Sequence, residues 1–370
     1  MRVLHVITTG ERRGAEMFAA DLIRYLNEAG VQQRVAVLRG SMPLPVGYEA
    51  DSTILPSSRP GAPPMKIDPA IVRALHSVIR QWSPHIVQAH GGQPFTYATL
   101  ATRRSKHRLL YRRIGLSPDR TRRGVNNLVY RRLLRRCERI VAVAEAVRRE
   151  TIDVFGVPED RVVTIPRGVD RRRIQTTSGR VQARETLGIP PAASVVLSLG
   201  ALSWEKDPMA HLEAMGVVRR SMPDAVHLIA GDGPLHGDVE RRVQELGLDG
   251  RARVLGNRSD VADLLAASDV LLLASRVEGM PGCLIEAGMA GVPVVSYSVA
   301  GVAEVVVDGT TGYVLPPGDV SGLARQLLEV LGSPALRDRL GIAGRDRCDT
   351  LFDIRVVAPR YLSIYEEVLA

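Results

Sequence analysis

Two carboxylates bracket a glycine-rich turn in the last third of the chain. Glu278 precedes the turn and Glu286 follows it, with seven residues between them. Carboxylate oxygens accept hydrogen bonds from adjacent hydroxyls, so such a pair suits a sugar diol. Gly282, between the acids, opens a predicted helix, and the first backbone N–H groups of a helix are unpaired and suit a phosphate. These residues indicate a nucleotide-diphosphate sugar, although acids also favour helix N-termini without any ligand.

The elements around the turn are those that would position it. The apolar run 270–274 predicts a buried parallel strand. Pro281 and Gly282 then lead into a helix predicted over 283–290, and a second strand is predicted over 292–296. In α/β proteins this succession of strand, turn, helix and strand places anionic ligands at the helix start.

The segment 275–319 resembles the donor-binding segment of family 4 glycosyltransferases, which are retaining enzymes of the GT-B fold. Their pattern pairs two glutamates inside E-G-x-P…E-A-x-A-x-G-x-P-V-V and continues as G-x-x-E-x-V-x-x-G-x-x-G. The matching residues here are Glu278, Gly279, Pro281, Glu286, Ala287, Ala290, Pro293, Val294, Val295, Gly301, Glu304, Val306, Gly309 and Gly312.

The resemblance implies an α/β fold with two Rossmann-like domains facing a central cleft. It assigns residues 1–166 to an N-terminal acceptor-binding domain and residues 167–354 to a nucleotide-sugar-binding domain. The C-terminal helix, 355–370, is expected to cross back to the N-terminal domain. A chain of 370 residues also exceeds one ordinary core, which favours two domains independently of the resemblance.

The same resemblance implies a retaining, metal-independent transfer of sugar to an acceptor hydroxyl, with a UDP- or GDP-sugar as donor and no cofactor. For the donor, it assigns Glu286 to the ribose, Glu278 to the sugar hydroxyls and Leu255 to the base. The departing diphosphate is assigned to Lys206 and to the helix start at Gly282, Cys283 and Leu284. Three glycines are also assigned to the donor site: Gly279 in the same turn, and Gly231 and Gly233 in a phosphate-edge turn.

Two positions depart from the family pattern. An arginine that commonly grips the diphosphate is replaced by Ala201, although the partner cation Lys206 is present. A charge-assisted contact is worth roughly 1.5–3 kcal/mol, so a weaker donor site is expected unless another cation substitutes. Where the family commonly has P-N-G-V-D at the crossover between domains, this chain has Arg167 in place of the asparagine.

In the N-terminal half, the loop holding Arg13 and Gly14 resembles the first loop of the family, with Arg13 where a glycine often stands. His90 ends a predicted strand, which places it at the ligand-binding edge of an open sheet. The resemblance puts Gly14 and Arg13 in the acceptor loop, and it makes His90 a catalytic residue together with Glu278 and Lys206. Taken alone, the loop also fits an ordinary turn, and the histidine fits a structural role.

Basic residues are concentrated in one segment, 103–136. Between residues 101 and 136 there are thirteen Lys or Arg and one acid, a balance of 13 − 1 = +12, which leaves 9 − 12 = −3 for the rest of the chain. Few aromatics interrupt the segment, which disfavours nucleic acid. Leu128, Leu133 and Leu134 predict an apolar side of a basic amphipathic helix. An anionic membrane surface or a phosphate-bearing acceptor is the expected partner, and a solvated arginine-rich face is the alternative.

Three widely spaced cysteines and the lack of a spanning apolar run favour a cytoplasmic protein, peripheral on the inner face of a membrane. The expected partners are therefore a nucleotide sugar and a glycan or lipid-linked acceptor, in polysaccharide or glycolipid assembly. A non-catalytic protein that binds sugar nucleotides would share every motif named and remains the alternative.

Overall fold

The computed structural model describes residues 1–40, 44, 48–58, 67–103, 105–176 and 178–370. These divide into two compact units, Met1–Gly168 with Ile354–Ala370, and Val169–Asp353. We call them the N-terminal unit and the C-terminal unit. Each is a parallel β-sheet with helices packed against it, so the predicted pair of Rossmann-like α/β domains is confirmed.

The N-terminal unit is built on a seven-stranded sheet of order β3-β2-β1-β4-β5-β6-β7. Its strands are β1 (Arg2–Ile7), β2 (Gln32–Val37), β3 (Asp51–Ile54), β4 (Ile86–His90), β5 (Arg108–Arg113), β6 (Arg139–Ala142) and β7 (Val162–Thr164). Its helices are α1 (Gly14–Glu28), α2 (Pro69–Trp82), α3 (Gly92–Ala101), α4 (Asp119–Arg122), α5 (Gly124–Leu134), α6 (Glu145–Asp153) and, from the end of the chain, α15 (Ile354–Leu369).

Helix α15 belongs to the N-terminal unit because its apolar face completes that unit's core. Tyr361 and Tyr365 are fully buried beside Phe18 and Leu22 of α1. The rings of Phe18 and Tyr361 lie 5.5 Å apart, and burying aromatic side chains of this size contributes strongly to core stability. The return of the last helix to the N-terminal unit was predicted and is confirmed.

The C-terminal unit is built on a six-stranded sheet of order β10-β9-β8-β11-β12-β13. Its strands are β8 (Val195–Leu199), β9 (Val226–Ala230), β10 (Ala252–Gly256), β11 (Val270–Leu273), β12 (Val294–Tyr297) and β13 (Gly312–Leu315). Its helices are α7 (Arg180–Thr186), α8 (Pro208–Ser221), α9 (His236–Glu245), α10 (Val261–Ala267), α11 (Gly282–Ala290), α12 (Val302–Val305), α13 (Val320–Gly332) and α14 (Pro334–Phe352).

In each sheet the strand order reverses direction at one place. The reversal lies between β1 and β4 in the N-terminal unit and between β8 and β11 in the C-terminal unit. Beyond the carboxyl ends of the two strands at such a reversal, the loops diverge and leave a crevice that binds ligands. These two places, which we call the N-terminal and the C-terminal switch points, are where a site is expected.

No helix in the described part of the chain is long and apolar enough to cross a membrane. In the basic segment, Arg104 lies outside the described residues, and the remainder forms β5, α4 and α5 with their connections.

Candidate functional site

The C-terminal switch point brings Lys206 and Glu278 into direct contact. Lys206 ends a 3-10 turn, Trp204–Lys206, that follows β8, and Glu278 lies in the loop after β11. The Lys206 Nζ atom is 2.5 Å from Glu278 Oε1, and the two side chains are 27% and 8% exposed. The loops that carry them are joined as well, because the Arg276 amide donates to the Glu205 carbonyl at 2.8 Å. Both residues were predicted here, and the structure makes them an ion pair.

Glu286 lies on α11, the helix that starts beside this pair. Pro281 precedes the helix and no side chain caps its N-terminus, although the Leu284 amide donates to the Pro281 carbonyl at 3.3 Å. The start of a helix carries partial positive charge and favours an anion. Gly282 and Leu284 in the first turn are buried, and Cys283 is half-buried. One turn further on, Glu286 has a 12% exposed side chain and forms an ion pair with Arg173.

Arg173 is a residue that the sequence reasoning missed. It belongs to a 3-10 turn, Arg171–Arg173, at the start of the C-terminal unit. Each arginine of that turn pairs with a different acid: Arg171 with Asp349, Arg172 with Asp170, and Arg173 with Glu286. The run of three arginines was the only available signal, since nothing local specifies which acids it meets. Arg173 supplies a cation near α11, while Ala201 is exposed and carries no charge.

The predicted phosphate-edge turn follows β9 at the same edge of the sheet. Gly231 has φ +150°, and a Cβ there would lie 1.8 Å from the Gly200 carbonyl oxygen, so only glycine lets these two loops approach so closely. A Cβ on Gly233 would likewise meet the Leu202 carbonyl at 2.5 Å. Leu255 is half-buried in β10, at a register shift against β9 between Val254 and Gly256.

At the N-terminal switch point, His90 ends β4 as predicted and is only 1% exposed. Its Nε2 atom is 3.0 Å from Nδ1 of His5 on β1, and His5 Nε2 is 2.9 Å from Oε1 of Gln33 on β2. Burial lowers the pKa of His5 to about 4, partly offset by the hydrogen bond to Gln33. Burial, and then the nearby His5 and Arg112, lower the pKa of His90 well below its usual range. Both rings are therefore neutral near pH 7.

The loop before α1 holds the other two predicted residues. Arg13 is largely exposed and pairs with Glu11 at 2.7 Å. A Cβ on Gly14 would lie 2.8 Å from Nη1 of Arg167, so the arginine that departs from the family pattern lies against the predicted acceptor loop. Glu16, two residues on, is 3% exposed, and burial raises its pKa. The N-terminal switch point thus combines a cationic side chain, a buried acid and neutral histidines.

The apolar face of the basic segment differs from the prediction. Leu134 is 1% exposed and Leu133 is half-buried, because this end of α5 packs against the N-terminal unit. The apolar side chains that α5 does expose are Val125, Leu128 and Val129, at 74%, 64% and 53%. Only Leu128 of the predicted set is among them. The spacing i, i+3, i+4 puts these three on one helical face, and this spacing is the signal in the sequence that indicates the exposed apolar face.

Among the described residues no group of three or more His, Cys, Asp or Glu side chains is arranged to hold a metal ion.

Two family descriptions match the chain and together span most of it. Residues 12–173 match Glycosyltransferase Family 4, and residues 180–347 match Glycosyl transferases group 1.

Among curated relatives, the N-acetyl-alpha-D-glucosaminyl L-malate synthase of Bacillus anthracis is 28% identical over 246 residues, which is 66% of this chain and 64% of that protein. This chain thus matches slightly less than two thirds of that relative's length. A lipopolysaccharide core biosynthesis glycosyltransferase of Rhizobium meliloti, LpsE, is 26% identical over 98% of both chains.

Among solved structures, the HepE protein of Anabaena, crystallised with UDP and glucose, is similar over 99% of both chains, with a TM-score of 0.85 and 19% identity. At that identity the likeness establishes the fold alone, which is the GT-B arrangement of two Rossmann-like domains.

Proposed function

Because this chain belongs to the family 4 glycosyltransferases, we propose that it moves a sugar from a nucleotide-diphosphate sugar to an acceptor hydroxyl. The C-terminal unit would bind the donor, and the N-terminal unit would receive the acceptor. The observation that carries this proposal is the C-terminal switch point, where Lys206 pairs with Glu278 in the loop before α11, and Glu286 lies on that helix and pairs with Arg173.

The proposed roles follow from the charges of these groups. Lys206 and the N–H groups at the start of α11 stabilise the negative charge that develops on the departing diphosphate, and stabilisation of this kind usually accounts for most of the rate enhancement. Glu286 accepts hydrogen bonds from the ribose, and Glu278 accepts them from the transferred sugar. Arg173 is the further cation that offsets the arginine replaced by Ala201.

The proposed reaction is metal-independent and retains the configuration at the anomeric carbon. The bond from the anomeric carbon to the diphosphate oxygen breaks, and the acceptor oxygen forms its bond on the same face. The acceptor proton passes to an oxygen of the departing phosphate. Lysine and the helix start supply the positive charge that a metal would otherwise provide.

A thermal-shift titration with UDP, GDP and ADP tests the donor site. A ligand at one hundred times its dissociation constant stabilises the folded protein by about 2.7 kcal/mol, which is readily measured. We expect one nucleotide, UDP or GDP, to raise the melting temperature. The UDP complex of HepE, a protein of the same fold, supports UDP as the first choice.

Glu286→Ala should abolish that shift, whereas Glu245→Ala, in an exposed ion pair with Arg242 on α9, should leave it intact. A nucleotide shift that persists in Glu286→Ala would show that the ribose lies elsewhere. The matching sugar nucleotide is then incubated with the protein and with glycan or lipid-linked acceptors. If the protein binds the nucleotide but releases none from the sugar nucleotide, it is a non-catalytic sugar-nucleotide-binding protein.

The acceptor we propose is a glycan or lipid-linked sugar at an anionic membrane surface, in polysaccharide or glycolipid assembly. Support comes from the relative LpsE, named for lipopolysaccharide core biosynthesis, and from α5. The exposed Val125, Leu128 and Val129 provide apolar contacts, while exposed arginines such as Arg123 and Arg132 flank them. Each basic residue near an anionic surface contributes about 1 kcal/mol to binding.

Flotation with vesicles tests this surface. The protein should float with vesicles that contain phosphatidylglycerol at low salt and remain unbound with neutral phosphatidylcholine vesicles. Leu128→Glu should abolish flotation, and Ile342→Glu, at a similarly exposed apolar side chain of the C-terminal unit, should not. Equal flotation of the two variants would exclude α5 as the contact.

A further inference from the structure

A chain of hydrogen bonds runs from the α1 side of the N-terminal unit to His90. Its first member is Asn27 on α1, whose Nδ2 donates to the Glu49 carbonyl. Gln33 Nε2 donates both to the Ile23 carbonyl at 2.8 Å and to Asn27 Oδ1 at 2.6 Å. The backbone carbonyls can only accept, so they fix both amide orientations and leave Gln33 Oε1 as an acceptor.

The amide orientation of Gln33 then determines the proton positions on two histidines. His5 Nε2 faces Gln33 Oε1 at 2.9 Å and must carry the proton of that hydrogen bond. His5 is neutral at pH 7, so its Nδ1 carries no proton and accepts from His90 Nε2 at 3.0 Å. His90 is neutral as well, and its proton is therefore on Nε2.

The consequence is an unprotonated nitrogen at the N-terminal switch point. His90 Nδ1 is buried and has no hydrogen-bond partner among the residues that the structure describes. The ring is packed against those of His5 and Phe18, with centroids 5.3 Å and 6.4 Å away. Burying a hydrogen-bond acceptor without a partner costs free energy, and a donor that binds to His90 Nδ1 would offset this cost.

We propose that Asn27, Gln33 and His5 are positioning residues that hold His90 as the Nε2–H tautomer, so that its Nδ1 accepts a hydrogen bond from a hydroxyl of the sugar substrates. The hydrogen bond to the sugar hydroxyl rests on the proposed glycosyl transfer, whereas the tautomer of His90 does not. A sugar hydroxyl is a suitable donor because it is small and its O–H can donate to an unprotonated ring nitrogen.

Long-range ¹H–¹⁵N correlation spectra of the ¹⁵N-histidine-labelled protein at pH 7 test the tautomer directly. The chain has eight histidines, and His90 is assigned from the signal lost in His90→Gln. We expect a single Nε2–H tautomer for His90. An Nδ1–H tautomer, a protonated ring or a mixture of tautomers in the wild-type protein would overturn the proposal, whether or not the protein transfers sugar.

Gln33→Met tests the control of the tautomer, since it keeps the side-chain length and removes the acceptor. His5 is then free to carry its proton on Nδ1 and donate to His90, so the His90 signal should change to the Nδ1–H form or a mixture. Gln32→Met, at the exposed neighbouring position of β2, is the matched control and should leave His90 unchanged. An unchanged His90 spectrum in folded Gln33→Met would show that Gln33 does not position it.

The hydroxyl contact is tested by turnover. Gln33→Met should slow transfer about tenfold to a hundredfold, while the nucleotide dissociation constant stays within about twofold of wild type. Full turnover in a variant whose His90 tautomer has changed would disprove the contact. Absence of transfer by the wild-type protein would refute the contact together with the proposed function, while the spectra would still decide the tautomer.

Discussion

The two switch points have the same topology but hold their polar side chains in different ways. In the C-terminal unit the candidate residues form ion pairs, Lys206 with Glu278 and Arg173 with Glu286, and all of them except the buried Glu278 remain partly exposed. In the N-terminal unit His90 is almost fully buried and forms a hydrogen-bonded series with His5 and Gln33 that carries no charge near pH 7. A parallel sheet therefore determines where a site lies, while the side chains determine whether it is charged.

The difference fits the chemistry proposed for each unit. A diphosphate needs cations and N–H groups, and the two cations here pair with the same carboxylates that are proposed to bind the sugar and the ribose. A neutral sugar hydroxyl needs an acceptor whose proton is already placed. Removing a charge should thus affect the C-terminal switch point most, and changing pH should affect the buried histidines.

The largest effect is expected from Lys206→Met. Loss of one positioned cation at the departing diphosphate should lower turnover about a hundredfold to a thousandfold, equivalent to about 3–4 kcal/mol. Nucleotide release from UDP- or GDP-sugar with acceptor present measures the effect. Arg242→Met removes a cation from an exposed ion pair on α9 and should leave turnover unchanged.

If Lys206→Met retained turnover within about twofold of wild type, Lys206 would not stabilise the charge that develops on the departing diphosphate. The double variant Lys206→Met/Glu278→Gln separates stability from catalysis. It leaves no unpaired carboxylate, so it should melt close to the wild-type temperature and yet remain inactive.

A smaller effect, on stability, is expected from glycine replacements that compare the two switch points. Gly231→Ala places a Cβ 1.8 Å from the Gly200 carbonyl oxygen, so backbone must move, at about 3 kcal/mol. Gly91→Ala, after β4, meets the flexible Cδ1 of Ile114 at 3.2 Å and costs about 1–2 kcal/mol, mainly because its φ is +98°. Urea unfolding of both variants measures the difference. Equal costs would mean that backbone approach is no tighter in the C-terminal unit.

The sequence predicted elements well where local patterns are strong. The predicted strand 270–274 and helix 283–290 agree with β11 (Val270–Leu273) and α11 (Gly282–Ala290) to within one residue at each end, because an apolar run ends at the Gly-rich turn and Pro281 leads into the helix. Strand β13 was not predicted, since its four residues, Gly312–Leu315, begin with a glycine and make only a short apolar run before Pro316.

For the candidate sites, the sequence predicted positions but not partners. Lys206 and Glu278 are 72 residues apart, and Arg173 and Glu286 are 113 apart, so only the folded sheet brings them together. The His5–His90 contact likewise spans 85 residues and depends on β1 and β4 being neighbours. The assigned roles of Glu278, Glu286 and His90 remain predictions until the variants above are measured.

The smallest effect for a single side chain is the loss of stability that mild acid should cause at each buried histidine. Each unit contains two such histidines. His5 and His90 in the N-terminal unit and His211 and His227 in the C-terminal unit are buried, and burial lowers the pKa of each, to about 4 for His5 and about 3 for His211 and His227. In the unfolded chain they bind protons near pH 6.5. Below about pH 6.5 the unfolded state therefore binds more protons than the folded state, and stability falls as pH falls towards 4. The slope is up to about 1.4 kcal/mol per pH unit for each of His5, His211 and His227, and His90 acts in the same direction.

The chain has one tryptophan in each unit, Trp82 and Trp204, so the acid effect can be followed separately. Trp204→Phe leaves Trp82 to report on the N-terminal unit, and Trp82→Phe leaves Trp204 to report on the C-terminal unit. Urea midpoints measured between pH 7 and pH 5 should fall in both variants. The half-buried His236 acts in the opposite direction, because hydrogen bonding to Asp232 raises its pKa. A midpoint that stays constant in the Trp204→Phe variant would mean that His5 and His90 are not held neutral. The contrast between the ion pairs of the C-terminal switch point and the neutral histidines of the N-terminal switch point would then be lost.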